Sequence, residues 1–101
     1  MTKADKKRLD RLSQMGCVCC ARYPVEIHHC VFNGYRRLSG GHQSTIPLDS
    51  WCHRGVPPDG FSVANAEFII GPSLALNKKA FIAKYGTERE LLEKVNHALN
   101  S

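Results

Sequence analysis

The stretch LDSWCHRG, Leu48–Gly55, sets a carboxylate, a thiol and an imidazole within five positions. Its Asp49-x-x-Cys52 repeats the spacing of Cys17-x-x-Cys20 in GCVCC, Gly16–Cys20. Two ligands separated by two residues on a tight turn can both reach one ion. Together the pairs predict a structural Zn²⁺ held by Cys17, Cys20, Asp49 and Cys52, with a carboxylate where a thiolate is more usual. Asp49 has a second reading, as N-cap of a short helix starting at Ser50. Cys19 and Cys30 then stand as alternative fourth ligands.

A staple of this kind suits the chain's size. With 101 residues, 43% hydrophobic and 23% charged, it has the make-up of one small domain, 1–101, with a modest core. Five cysteines, three of them crowded into Cys17–Cys20, make poor disulfide material and good thiolate ligands in a reducing compartment. No secretory leader pattern and no run of 18 apolar residues is present, so the reading is a soluble, cytoplasmic protein with no membrane partner. The net charge of +5 and pI near 9.1 favour a polyanionic partner without requiring one.

Around the knuckles the chain divides into three parts. Residues 1–15 read as a basic N-terminal helix, with Leu9, Leu12 and Met15 on one face and Lys3, Lys6, Lys7, Arg8 and Arg11 elsewhere. Residues 16–60 hold the knuckles and an active-site loop. Within them VEIHHC, Val25–Cys30, reads as a short strand leading to a hairpin-like turn at Asn33-Gly34. From Arg36 to Asp59 little periodicity appears, and a free loop that long needs an anchor. Residues 61–101 form a helical C-terminal part: a short helix from Phe61 to Phe68, broken at Gly71-Pro72, then SLALNKKAFIAKYG and TERELLEKVNHAL. The last segment opens with Thr87 and Glu90 as a capping box and should bury Leu91, Leu92, Val95 and Leu99. The fold class is therefore α+β, a small zinc-stapled domain.

His28, His29 and His42 lie between the knuckles and His53 directly follows the second. An imidazole beside a metal-bound thiolate is held rigidly, which suits a residue that must hold a second ion or a proton in a fixed place. His97, on the exposed stretch of the last helix, reads as ordinary surface.

GCVCC with VEIHH, then GGHQSTIPLDSWCHRG, then GPSLALNKKAFIAKYGTERELL, in that order over Gly16–Leu92, is similar to the Ref family of phage recombination enhancement proteins, RecA-dependent nucleases of the HNH type. The resemblance implies an HNH ββα-metal core with little regular structure, a DNA substrate, and RecA as the partner that presents it. It implies His29 as general base, His28 and His53 as ligands of a catalytic Mg²⁺ or Mn²⁺, and His42 as the middle member of the signature, orienting the base. The family commonly has Cys where Asp49 stands and His where Cys52 stands, and a longer N-terminal segment.

On that reading the chain hydrolyses DNA phosphodiesters, single-stranded or displaced-loop DNA included, in the nucleoid of a bacterial host. Arg36, Arg37 and Arg54 are the cations expected on the backbone, with Lys78 and Lys79 behind them. Adjacent strand residues face opposite ways, so His28 and His29 can both serve one site only if the strand ends or bulges there. The rival is a non-catalytic zinc module that binds nucleic acid or protein. A redox role for Cys17-x-x-Cys20 is disfavoured because no βαβ pattern surrounds it.

Overall fold

Thr2 starts the first helix by accepting from the Asp5 amide while the Asp5 carboxylate accepts from the Thr2 amide, a reciprocal cap. The helix, α1 (Lys3–Met15), buries Leu12 completely and ends at Gly16, whose φ of +80° suits a residue without a Cβ. A side chain there would also meet the Tyr23 ring at 3.0 Å. The computed structural model describes residues 1–32, 34 and 40–100.

Two strands follow, β1 (Val25–His29) and β2 (Thr45–Asp49), paired antiparallel with Val25 opposite Asp49 and His29 opposite Thr45. A 3₁₀ turn, Gly41–Gln43, leads into β2. All five residues of β2 are buried. Its free edge is covered where Val18 of the first knuckle donates to the Pro47 carbonyl at 3.0 Å, so β2 lies between β1 and the cysteine turn. Pro47 has no N–H to leave unpaired there.

β2 runs directly into α2 (Ser50–Arg54), capped by Asp49, and α2 stops at Gly55 in the left-handed region. The Trp51 side chain is wholly buried, and its indole N–H donates to the Gly71 carbonyl at 2.9 Å. The Leu74 amide donates to the Cys52 carbonyl at 2.8 Å. These two bonds pin the segment between α3 (Val63–Ile69) and α4 (Lys78–Tyr85) against α2.

Helix α5 (Glu88–Leu99) carries the expected Thr87–Glu90 capping box. It buries Leu91 and Val95, while Leu92 and Leu99 pack on the core half-buried. Half-buried Arg8 ties α1, β2 and α5 together. It donates to Thr45 Oγ1 at 2.9 Å, to the Thr45 carbonyl at 2.7 Å and to Asn96 Oδ1 at 2.8 Å.

The result is a small α+β fold with, among the described residues, five α-helices and a two-stranded sheet. Two expectations are corrected. Strand β2 and helix α2 occupy part of the stretch read as irregular from Arg36 to Asp59, and it is β2 that pairs with β1. Helix α4 begins at Lys78, later than the helical spacing from Leu74 suggests, because Asn77 caps it by accepting from the Ala80 amide at 3.2 Å. The turn expected at Asn33-Gly34 falls partly outside the described residues.

Candidate metal centre and histidine cluster

The first knuckle is shaped by two backbone bonds, Ala21 N–H to the Cys17 carbonyl at 2.8 Å and Cys17 N–H to the Arg22 carbonyl at 3.0 Å. They fold Cys17–Arg22 back on itself so that Cys17 and Cys20 face one point. The β2–α2 corner supplies the other pair. Ligand atoms of Cys17, Cys20, Asp49 and Cys52 all lie within 4.8 Å of one another. Cys17, Cys52 and Asp49 are buried, with 4%, 0% and 5% exposure, which excludes a casual surface grouping.

The donor set fits a tetrahedral ion. Cys20 and Cys52 sulfurs are 3.7 Å apart, close to the roughly 3.8 Å edge of a tetrahedron with Zn–S bonds of about 2.3 Å. Asp49 is the N-cap of α2, its Oδ1 accepting from the Cys52 amide at 2.9 Å, and its Oδ2 lies 3.8 Å from Arg22 Nε; a carboxylate oxygen of the same residue also belongs to the group that could hold an ion.

Electrostatics point the same way. The Cys17 thiol is driven far below its ordinary range by hydrogen bonds from Cys19, Cys20 and Cys52. Cys20 is pushed up to about 12, chiefly by its hydrogen bond to Cys17, and Cys52 is raised by Cys17 and then Cys20. Sulfurs this crowded oppose one another's ionisation, and a divalent cation among them would allow all to ionise. Cys19 touches Cys17 but lies outside the four-ligand group. Cys30 is wholly buried in the core, where burial raises its thiol to about 12, and it too lies outside the group.

The histidines fall into two pairs. His28 on β1 and His53 on α2 meet edge to face, ring centroids 5.1 Å apart. His28 Nε2 is 2.7 Å from Glu88 Oε2 and His53 Nδ1 is 2.8 Å from Glu26 Oε1. His29 Nε2 meets His42 Nδ1 at 3.0 Å, again with centroids 5.1 Å apart. His42 is steadied by its turn: its carbonyl accepts from Thr45 Oγ1 at 2.9 Å, and Gln43 donates to Asp5. That bond from Gln43, with the Thr2 cap, holds the Asp5 carboxyl down at about 2.

The β1–β2 register is continuous through His28 and His29, which lie at the strand's end. Arg54 is taken up by Glu26, with contacts from 2.6 to 3.0 Å. Lys78 and Lys79 are exposed on the first turn of α4. Arg36 and Arg37 lie outside the described residues.

Two residues absent from the sequence reading, Glu26 and Glu88, hold the His28–His53 pair. Glu26 was legible, since it sits two positions before His28 on the same strand face. Glu88 comes from α5, sixty positions away, and no local pattern announces it.

The family described as "recombination enhancement, RecA-dependent nuclease" matches residues 1–100. The chain belongs to this family. Nuclease chemistry in recombination and the involvement of RecA are what the family's description carries. No curated protein and no solved structure matches the chain.

Proposed function

We propose that this member of the RecA-dependent nuclease family is a metal-dependent DNA endonuclease of HNH type. It hydrolyses phosphodiester bonds on DNA associated with a RecA filament, in phage or bacterial recombination in the host cytoplasm. The observation that carries the reading is the antiparallel β1–β2 pair with α2 following β2, which sets the rings of His28 and His53 5.1 Å apart, centroid to centroid, while His29 pairs with His42. Two antiparallel strands and a helix, with imidazoles on the first strand and the helix, match the ββα-metal core that the HNH type implies.

In this reading Cys17, Cys20, Asp49 and Cys52 hold a structural Zn²⁺ that fixes the β2–α2 corner. His28 and His53 hold Mg²⁺ or Mn²⁺, which supplies neutralisation of charge at the scissile phosphate. His29 accepts the proton of the attacking water, the general-base role that imidazoles most often fill. His42 orients the His29 ring through the Nε2 to Nδ1 contact. Arg36, Arg37, Arg54, Lys78 and Lys79 contact the DNA backbone.

The test is cleavage of plasmid and single-stranded DNA with and without Mg²⁺ and RecA, using His29→Ala as control. Cleavage should require the added ion, and the variant should lose about 10²- to 10⁴-fold in rate with zinc content and melting unchanged. Wild-type cleavage by His29→Ala refutes the assignment of the base. Two tightly held zinc ions with no cleavage of any DNA would favour a non-catalytic module.

A further inference from the structure

Each imidazole assigned to the catalytic ion has one ring nitrogen already engaged by a carboxylate, and the surroundings decide which partner carries the hydrogen. Glu88 Oε2 takes the His28 ring at 2.7 Å and also accepts from the Val31 amide at 3.1 Å. Glu26 takes the His53 ring on Oε1 at 2.8 Å while Arg54 donates to both of its oxygens. An oxygen already receiving N–H donors acts as acceptor, so the ring nitrogens facing Glu26 and Glu88 are the ones that bear hydrogen.

We infer that Glu26 and Glu88 are positioning residues that set opposite tautomers, Nε2–H on His28 and Nδ1–H on His53, leaving Nδ1 of His28 and Nε2 of His53 as the lone pairs for a divalent cation. The inference rests on the assignment of these two histidines to the catalytic ion. A carboxylate behind a metal-binding imidazole fixes its tautomer and ring orientation and raises its basicity. Here the two carboxylates come from opposite ends of the chain. Glu26 shares β1 with His28, and Glu88 brings the first turn of α5 to β1. His53 is the more telling of the two, because its assigned tautomer is the one an unconstrained histidine disfavours.

The test uses the zinc-loaded full chain without added Mg²⁺ or Mn²⁺, at a pH above the ordinary histidine value of about 6.5. Long-range ¹H–¹⁵N correlation spectra should report Nδ1–H for His53 and Nε2–H for His28. Glu26→Ala should return His53 to mainly Nε2–H. Glu26→Gln, whose carbonyl still accepts, should keep Nδ1–H. In Mn²⁺ titrations Glu26→Ala and Glu88→Ala should each bind about 10- to 100-fold more weakly, with the Gln variants closer to wild type. Zinc content and melting temperature serve as folding controls for all four. His53 found as Nε2–H in the wild type overturns the inference, as do Gln variants that lose as much Mn²⁺ affinity as the Ala variants, since the carboxylates would then be ligands themselves. If wild type binds Mn²⁺ with these tautomers yet cuts no DNA, the nuclease reading fails and the positioning roles stand.

Discussion

Asp49→Asn separates two jobs that one side chain performs. Oδ1 caps α2 by accepting from the Cys52 amide, and a carboxylate oxygen of Asp49 belongs to the group that could hold zinc. Asn caps a helix about as well as Asp, so the first job survives, at a cost of about 0.3–1 kcal/mol for the lost charge at the helix start. The second is weakened, because Asn offers one neutral amide oxygen in place of an anionic carboxylate and its NH₂ has no lone pair for a metal. Structural zinc contributes about 10–16 kcal/mol of apparent binding energy, so an even share among four ligands is about 3 kcal/mol. That share corresponds to roughly 10²-fold in zinc affinity. Asp49→Ala should lose the same affinity and about 1 kcal/mol more through the missing cap. Competition against a chromophoric chelator measures the first quantity, and urea unfolding of the two variants at saturating zinc measures the second. Asp49→Asn holding zinc within about threefold of wild type would show the carboxylate to be a cap alone, with the fourth ligand elsewhere.

Cys17→Ser should release zinc and abolish a cooperative melt, since metal binding and folding are linked in stapled domains of this size; equal melting with and without a strong chelator contradicts it. Trp51→Ala should destabilise the fold by about 3–5 kcal/mol, for a wholly buried indole that leaves a cavity and an unpaired Gly71 carbonyl, read by urea unfolding of the zinc-loaded protein. Because Glu26 is held below its usual 4.5, its contribution is complete above that value and fades as pH falls through its lower folded value. Wild type should therefore lose more stability than Glu26→Gln on acidification below about 4.5, and parallel acid titrations of the two would contradict this.

The parts of the fold written in local pattern were readable and the parts written in burial were not. The spacing of Leu9, Leu12 and Met15 marks a helix and Thr87 with Glu90 marks a helix start by short-range chemistry, and α1 and α5 lie where those signals put them. Strand β2 has no alternation to read because every residue of TIPLD is buried, and Pro47 argues against a strand until Val18 is found covering its edge. At the candidate metal centre, the repeated two-residue spacing was enough to bring out Cys17, Cys20, Asp49 and Cys52 as one group. The pairing of His28 with His53 and of His29 with His42 depends on the β1–β2 register, and Glu88 depends on where α5 docks. Neither is a property of any short window.

At the start of α2, Cys52 and His53 are consecutive, one directed to the sulfur cluster and the other to Glu26 and His28. Each helical residue advances the side chain by about 100°, so the divergence is set by counting residues from Asp49. Sequences using this corner can exchange one ligand type for another while the number of positions stays constant. An insertion or deletion of a single residue between Asp49 and His53 would rotate both side chains away from their targets, so gaps here should be far rarer than substitutions.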